Sequence, residues 1–367
     1  MRSSKPSKNS VTATMKHLLL MAFAILTIGC GEKKSEDVNL DELEVREGVA
    51  YLKNSDSPYT GKVFEFHDNG QKKSETTLKE GKYDGLSAIY YENGQKQVVG
   101  YYKDSKSHGP SVIWYENGQI QAETNYKDGK YDGLSEAWYE NGLKRVEGNY
   151  KDGKFDGPTV TWYENGQKKT EVNFKDGKQH GDVRGWHENG QKKSEETWKD
   201  GKQHGLAHVY YENGKREQES NWKDGKATGL STDWYEDGQK KAEGNWKDGK
   251  QEGPSAFWYE TGQKKDVGNW KNDERDGTHS SWHKNGQKME NVTYKKGKPD
   301  GHSVAWYENG QKEQESNWKD GQMDGTLTLW HKNGKKMLQG TMKDGKPISK
   351  QFWNSKGEEV DSKEEAE

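Results

Sequence analysis

Large apolar side chains recur along this chain every 24 residues, in register with a repeated glycine. The repeat glycines are Gly70, Gly94, Gly118, Gly142, Gly166, Gly190, Gly214, Gly238, Gly262, Gly286, Gly310 and Gly334. A first aromatic row lies four residues before each glycine, and a second aromatic row lies eight residues after it. All 15 tryptophans fall in these two rows. A period of roughly 20–50 residues is typical of arrays in which each unit packs against its neighbours.

Each unit has the pattern of two β-strands joined by two tight turns. Several glycines interrupt every unit and disfavour helix, and the turns read Glu-Asn-Gly and Lys-Asp-Gly, which are strong hairpin signals. We therefore expect an all-β fold, an elongated single-layer antiparallel β-hairpin repeat array of about twelve copies over residues 44–357. Arg46–Tyr51 is predicted as its first strand, and Pro58–Gly61 opens the first full unit.

The length of the turns decides which side chains share a face of the sheet. A three-residue Asn-Gly loop, with a type I turn followed by a left-handed glycine, would place Trp234, Ala242 and Trp246 together. Tyr235, Lys241 and Glu243 would then lie opposite. We expect the Lys-Asp-Gly turn to keep the same parity. Both aromatic rows are thus predicted on one face, and a row of tyrosines with Lys, Glu and Asn on the other.

The overall composition is more polar than that of most folded domains. Hydrophobic residues make up 28%, charged residues make up 32%, and the mean hydropathy is -1.38. Such values are typical of disorder. The regular register of the aromatic residues favours a packed array instead. A net charge of -3 provides no basic field for nucleic acid, so no nucleic-acid partner is expected.

The first 30 residues have the pattern of an export signal. Met15 is an alternative start of the chain, and Lys16 and His17 follow it. They precede an apolar run over residues 18–28 that is too short to span a bilayer. We expect residues 1–29 to be a signal peptide. The segment Leu-Thr-Ile-Gly-Cys ending at Cys30 resembles a bacterial lipobox, whose cysteine carries the lipid. The alternative is a free thiol in a cytosolic protein.

The segments flanking the array are polar. Residues 30–43 are predicted to be a lipidated N-terminus and tether, and residues 358–367 an acidic disordered tail. Gly31 after the cysteine resembles the default outer-membrane sorting pattern of a Gram-negative cell. The expected location is therefore the cell envelope, as an outer-membrane lipoprotein if the cell is Gram-negative.

The repeated sequence N-W-K-D-G-K-x-D-G-x-x-x-x-W-Y-E-N-G resembles the MORN repeat in its bacterial variant form, a form associated with toxin–antitoxin antitoxins. The opening V-R-E-G-V-A-Y-L-K-N-S-D-S-P-Y-T-G-K-V is similar to the start of such arrays. The resemblance covers roughly residues 45–357. It implies a protein-interaction or membrane-associated scaffold rather than an enzyme.

The sequence contains no pattern typical of a catalytic or metal site. Repetition sets the dominant side chains, whereas an active site brings different groups to one point. Residues 128–133 resemble a calcium loop, but Lys130 occupies a ligand position and Glu140 comes one residue late. His180 and His204 share a repeat position, which places them about 9.6 Å apart, too far for one zinc ion. We predict no catalytic residue, metal or cofactor.

The aromatic rows have two interpretations. In one they interdigitate and replace the core that a single-layer array lacks. In the other, part of the first row stays exposed and binds a partner. The candidate binding face consists of Trp114, Trp138, Trp162, Trp186, Trp234, Trp258, Trp282, Trp306 and Trp330. The expected function is a lipid-anchored extracytoplasmic scaffold for a protein or cell-envelope glycan. The alternative is a cytosolic antitoxin-like inhibitor that binds a partner toxin.

Overall fold

The computed structural model describes residues 37–366. The predicted signal peptide, Cys30 and the first half of the predicted tether lie outside the described residues. The strands are β1 (Val38–Asn39), β2 (Leu43–Arg46), β3 (Val49–Leu52), β4 (Gly61–Phe66), β5 (Lys72–Lys79), β6 (Lys82–Tyr90), β7 (Lys96–Lys103), β8 (Lys106–Trp114), β9 (Ile120–Lys127), β10 (Lys130–Trp138), β11 (Lys144–Lys151), β12 (Lys154–Trp162), β13 (Lys168–Lys175), β14 (Lys178–Trp186), β15 (Lys192–Lys199), β16 (Lys202–Gln203), β17 (Gly205–Tyr210), β18 (Arg216–Lys223), β19 (Lys226–Ala227), β20 (Gly229–Trp234), β21 (Lys240–Lys247), β22 (Lys250–Trp258), β23 (Lys264–Lys271), β24 (Glu274–Arg275), β25 (Gly277–Trp282), β26 (Lys288–Lys295), β27 (Lys298–Trp306), β28 (Lys312–Lys319), β29 (Gln322–Trp330), β30 (Lys336–Lys343), β31 (Lys346–Trp353) and β32 (Glu359–Val360). A 3-10 turn spans Leu40–Glu42, and helix α1 spans Lys363–Ala366.

Thirty of these strands form one sheet in sequence order. From β4 to β32 successive strands pair antiparallel, except that the short strands β16, β19 and β24 pair only with the strand before them, which also pairs with β17, β20 and β25 in turn. Strand β1 pairs parallel with β4 at the N-terminal edge. The predicted all-β array of antiparallel hairpins with a 24-residue period is confirmed.

A small hydrophobic core caps the N-terminal edge of the sheet. Val38, Ala50, Tyr59, Val63 and Leu78 are buried against one another there. The hairpin of β2 and β3 contributes to this cap as a separate two-stranded sheet. Its presence corrects the prediction of one strand over residues 46–51. Residues 47 and 48 both have positive φ and form a turn that divides that segment.

The turns at the Asn-Gly position of the unit have the predicted length, also around Gly238, where Asp237 replaces the asparagine. In the unit around Gly238, the Tyr235 N–H donates to the Gln239 carbonyl at 2.8 Å, and the Gly238 N–H donates to the Tyr235 carbonyl at 2.8 Å. Gly238 has φ +95°, in the region that glycine tolerates best. This pattern matches the predicted three-residue loop with a left-handed glycine.

A β-bulge beside this loop overturns the predicted arrangement of faces. Trp234 pairs with Lys240, but Asp233 pairs with Ala242, so one extra residue lies on the second strand. One extra residue exchanges the two faces. Trp234 therefore lies on the face of Glu243, opposite Ala242 and Trp246. The prediction that both aromatic rows share a face is wrong.

The Lys-Asp-Gly turns also differ from the prediction. Lys247 pairs directly with Lys250, which leaves a two-residue loop. Asp248 and Gly249 both have positive φ, at 53° and 84°, as a type I′ turn requires. This shorter loop exchanges the faces a second time, so equivalent residues of successive units return to the same face.

Repeated hydrogen bonds join each unit to the next. The Tyr139 hydroxyl donates to the Trp162 carbonyl at 2.8 Å, and Asn141 Nδ2 donates to the Glu164 carbonyl at 2.9 Å. Where histidine replaces the tyrosine, as at His187, Nε2 lies 2.8 Å from the corresponding carbonyl oxygen. The tyrosine row therefore has a structural role along one edge of the sheet.

The acidic tail is more ordered than its composition predicts. Within residues 358–366, β32 pairs with β31. Helix α1 follows, with Ala366 buried. The short strand thus continues the sheet at its C-terminal end.

Candidate functional site

The corrected register gives the sheet two faces of different chemistry. The tryptophan face, in the unit of Gly238, carries Leu230, Thr232, Trp234, Glu243 and Asn245 and their equivalents. The opposite side of the sheet, which we call the ladder face, carries the alternate residues of the same strands and their equivalents. Ala242 and Trp246 lie there, and Trp246 belongs to the second aromatic row.

The nine tryptophans predicted as a binding surface all lie on the tryptophan face. Each is half-buried rather than exposed. At five of them a lysine of the preceding hairpin lies over the ring, as Lys240 Nζ does at 5.8 Å from the centre of the Trp258 ring. The same contact recurs between Lys312 and Trp330 at 5.4 Å. In these units the lysine stem covers part of the indole.

Alternating charges lie beside the tryptophans. Lys240 pairs with Glu243 at 3.0 Å, and Lys312 pairs with Glu315 at 2.7 Å. The hydrogen bond from Lys312 lowers the pKa of the Glu315 carboxyl. Exposed pairs of this kind contribute little to stability. They do keep the face close to neutral while holding the lysine stems over the rings.

Exposed leucines and prolines form a third row on the tryptophan face. Leu134, Leu206 and Leu230 are 40%, 42% and 43% exposed. The prolines at equivalent positions are also exposed, and they are Pro110, Pro158 and Pro254. This row was not predicted from the sequence, although a Gly-Leu or Gly-Pro pair at a fixed position of the unit marks it. Together with the tryptophans, this row forms an apolar strip whose side chains are only partly covered by the rest of the protein.

On the ladder face, the first half of the array contains a stack of aromatic rings. Tyr126, Tyr131, Tyr150, Phe155 and Phe174 follow one another at centre-to-centre distances of 4.9, 5.1, 4.3 and 5.0 Å. Residues of the second aromatic row alternate here with residues five positions further along the chain. These distances are favourable for ring pairs, so the stack stabilises the sheet.

In the second half of the array, tryptophans of the second aromatic row replace the stack. Four of their five indole N–H groups donate to a protein acceptor; Trp222 Nε1 donates to Ser220 Oγ at 2.9 Å, and Trp318 Nε1 donates to Ser316 Oγ at 2.9 Å. Ser316 is completely buried. The second row thus fits the first interpretation, a substitute for a core, whereas the first row lies beside the exposed leucines.

Polar side chains converge at one point of the tryptophan face. A shallow cavity of about 210 Å³ is lined by Arg184, Glu195 and His208 among others. Glu195 accepts from Lys192 at 2.7 Å and from the Tyr210 hydroxyl at 3.0 Å. The Lys192 bond lowers the pKa of the Glu195 carboxyl. These contacts keep the Glu195 carboxylate ionised. A carboxyl with a lowered pKa is a poor proton donor near neutral pH, so the contacts of Glu195 fit a structural role.

The histidines considered for metal binding lie instead beside turn aspartates. His180 Nδ1 lies 3.3 Å from Asp200 Oδ1, and His204 Nδ1 lies 3.5 Å from Asp224 Oδ1. Within residues 37–366 no group of three or more His, Cys, Asp or Glu side chains is placed to hold a metal ion. Over the same residues, no helix has the length and apolar character needed to cross a membrane.

Comparison with protein families gives one match, to the family described as MORN repeat variant. It recurs nine times and covers more than half of the chain, at residues 59–80, 83–104, 107–128, 155–176, 179–200, 203–224, 227–248, 275–296 and 299–320. Each match ends at the first residue of the two-residue turn that closes a unit, in a Lys-Asp-Gly sequence or a variant of it. No curated protein matches the chain.

Solved structures with local similarity belong to much longer chains. The TcdB2-TccC3-Cdc42 and TcdB2-TccC3 crystal structures are each 11% identical, with TM-scores of 0.16 and 0.17. Each alignment covers 83% of this chain and 18% of the other. A Photorhabdus luminescens Tc holotoxin pore is 10% identical, with a TM-score of 0.16, over 83% of this chain and 19% of the other. The chain therefore spans about a fifth of their length.

Proposed function

The chain belongs to the MORN repeat variant family, and we propose that it is a non-catalytic, lipid-anchored scaffold outside the cytoplasm that binds a protein or cell-envelope glycan. The observation that carries the binding part is the apolar strip of the tryptophan face. Half-buried tryptophans and exposed leucines repeat there along the array. Extended apolar strips with polar surroundings generally mark binding surfaces.

The repetition of the strip favours an extended partner. Equivalent residues of adjacent units lie two strands apart, about 9.6 Å. A partner that contacts several units gains affinity from each, as in multivalent binding. Removal of one tryptophan should therefore weaken binding by a modest factor, and removal of three neighbouring ones should nearly abolish it.

The anchoring part of the proposal rests on the N-terminal sequence. Cys30 closes an apolar run of the length of a signal peptide, and it is the only cysteine of the chain. One acyl chain binds a membrane marginally, but the several chains of a bacterial lipoprotein hold it stably. The polar residues between Cys30 and β1 would then separate the array from the membrane.

Labelled palmitate and globomycin test the anchor. We expect the full-length protein to incorporate label and partition into the detergent phase, whereas globomycin causes an unprocessed precursor to accumulate. The Cys30→Ser protein should incorporate no label. Equal partitioning of wild-type and Cys30→Ser protein would contradict the anchor and favour the cytosolic toxin-binding alternative.

Site-specific photo-crosslinking in cells tests the binding face. A photoreactive residue at Leu206 or Leu230 should crosslink one protein of defined mass, or purified envelope glycan. The same residue at Tyr131, which is exposed on the ladder face, provides the matched control. Replacing Trp234, Trp258 and Trp282 together by tyrosine should remove the crosslink. Tyrosine suits the fold because Tyr90 and Tyr210 occupy this position naturally. Equal crosslinking from both faces would refute the assignment.

A further inference from the structure

The ladder face contains a gap between Trp222 and Trp246. A cavity of about 400 Å³ lies there, and its walls include both indoles, Ser220 and Ser231. Ala227 lines this cavity and pairs with Trp222. In other units the side chain at this repeat position lies between two residues of the second aromatic row. We call this gap the Ala227 notch.

Equivalent positions show what fits such a gap. Tyr131 lies between Tyr126 and Tyr150, at 4.9 and 5.1 Å between ring centres. Phe155 lies between Tyr150 and Phe174, at 4.3 and 5.0 Å. A flat ring thus fills the equivalent space twice within the same sheet. At Ala227 only a methyl group is available, so the space remains open to a ring from outside the chain.

A guanidinium group fills a further equivalent position, but the notch is less suited to a cation. Arg275 lies 5.8 Å from the Trp270 ring and 5.2 Å from the Tyr294 ring. The cross-strand pair beside it is Asp266 and Ser281. At the notch the equivalent pair is Gln218 and Asp233, and the Asp233 carboxylate accepts a hydrogen bond from Gln218 Nε2 at 2.9 Å. The only charged residue that lines the notch is Lys226. A cationic ligand would be repelled by it.

Charge at the adjoining edge favours an acidic partner. The notch opens beside the Lys-Asp-Gly-Lys turns at residues 223–226 and 247–250. Each turn carries two lysines and one aspartate, an excess of one positive charge per unit. Acidic residues that flank a bound ring would meet this edge with complementary charge.

We propose that the Ala227 notch binds an aromatic side chain of a partner polypeptide whose neighbouring residues are acidic. The proposal deepens the scaffold function, on which it rests, by assigning a specific contact to the opposite face of the sheet. A ring held between two indoles buries both of its faces and is a typical anchor of a protein interface.

The test uses the full-length protein and a five-residue blocked peptide with a central tyrosine between two pairs of glutamates. Tryptophan fluorescence and saturation-transfer NMR report the contact. We expect binding to weaken at least tenfold when alanine replaces the tyrosine, and to weaken with added salt. A peptide with lysines in place of the glutamates should bind more weakly than the acidic one.

Two variants locate the contact. Ala227→Tyr fills the notch as Tyr131 fills its own position, so peptide binding should be lost while the sheet stays folded. Gln251→Ala should open a second gap, between Trp246 and Trp270, and raise the number of bound peptides from one to two. Circular dichroism confirms that both variants fold.

Undiminished peptide binding by Ala227→Tyr would overturn the proposal. Tighter binding of the lysine peptide, or binding of a chitin oligosaccharide in place of the acidic peptide, would also overturn it, since the ligand would then be a cation or a glycan. Crosslinking from Leu206 and Leu230 is independent of the notch. Its failure would instead count against the tryptophan face and the proposed scaffold function.

Discussion

The two halves of the ladder face fill equivalent positions with different side chains. Over residues 83–174, tyrosines and phenylalanines fill both rows except at Ser107, and five of them stack continuously from Tyr126 to Phe174. Over residues 198–318, tryptophan dominates one row, and Gln, Ala, Arg and Pro occupy the other. A single-layer sheet has no central core, so each junction between units must be packed locally. The two halves show two solutions to that requirement.

The solutions differ in their demand for polar partners. Phenylalanine rings in the stack need no hydrogen-bond partner. A half-buried indole N–H needs an acceptor, and Ser220 and Ser316 provide one two residues earlier on the same strand. A tryptophan also fills more space, which allows smaller residues beside it. The Ala227 notch is an extreme case of that substitution.

The largest expected effect comes from removing a tryptophan of the second half. Trp246→Ala should lower the free energy of unfolding by about 3 kcal/mol, because the large ring packs between adjacent units. Urea unfolding monitored by circular dichroism measures the change. Phe155→Ala in the stacked half should cost less, about 2 kcal/mol, since Tyr150 and Phe174 remain and can close part of the gap. An equal cost in both halves would contradict the distinction.

Extending the stack should stabilise the protein. Gln179 pairs with Phe174 at the end of the stack, so Gln179→Tyr adds one ring and should contribute about 1 kcal/mol. An increase in the urea midpoint would show that the stack ends for lack of a ring. Gln179→Leu provides an apolar side chain without a ring. If leucine stabilises equally, burial rather than stacking explains the gain.

Loss of one inter-unit hydrogen bond should cost about 1 kcal/mol in either half. Tyr139→Phe removes the bond to the Trp162 carbonyl, and the urea midpoint should fall accordingly. Tyr139→His is the matched control, because His187 makes the equivalent contact. The histidine variant should retain most of the stability. A neutral outcome for phenylalanine would mean that water replaces the hydroxyl.

A buried histidine gives the second half a dependence on pH that the stack lacks. Burial of His279, the main cause, lowers the pKa of its imidazole, and nearby Arg275 acts in the same direction. Because the folded-state pKa lies below the unfolded value, stability is full above pH about 6.5 and falls as the pH decreases below it. In His279→Ser, which restores the serine found at Ser255 and Ser303, the urea midpoint should lose this dependence. An unchanged pH profile would contradict the assignment.

The smallest effect is expected outside both packed rows. Lys241 is exposed, with Nζ 5.8 Å from the centre of the Tyr235 ring. Lys241→Ala should change the free energy of unfolding by about 0.5 kcal/mol or less. The same urea titration measures it. A cost as large as that of Trp246→Ala would mean that the lysine row, rather than the aromatic rows, holds the units together.

The sequence predicts the repeat, the strands and one turn, but not the faces. Periodic glycines and aromatics suffice for the hairpin array, and the three-residue length of the loop ending at Gly238, where Asp237 replaces the usual asparagine, is also predicted. The faces depend on single-residue offsets. An Asp-Gly pair fits a two-residue or a three-residue loop, and nothing in the residue types marks the bulge beside Lys240. One unpredicted offset, the bulge, places Trp234 and Trp246 on opposite faces, and the second, the two-residue loop, returns equivalent residues of the next unit to the same face.

The candidate surface shows the same limit. The nine first-row tryptophans could be selected from spacing alone, and their role in binding stays a prediction. The exposed leucine row was accessible from the sequence only once the faces were known, since Leu230 shares a face with Trp234 but not with Trp246. Finding the Ala227 notch requires one more observation, namely that residue 227 lies between aromatic rings of adjacent units. Only the strand pairing shows this.

The bonds between units also make the length of the protein adjustable. Each tyrosine contacts a carbonyl 23 residues further on, as Tyr139 does at Trp162 and Tyr235 at Trp258. Removing or duplicating one whole unit between the ends therefore restores every such pair with an equivalent partner, whereas a change of any other size leaves donors and acceptors out of step. Duplication or deletion of a gene segment can thus lengthen or shorten this array by whole units without a change of fold.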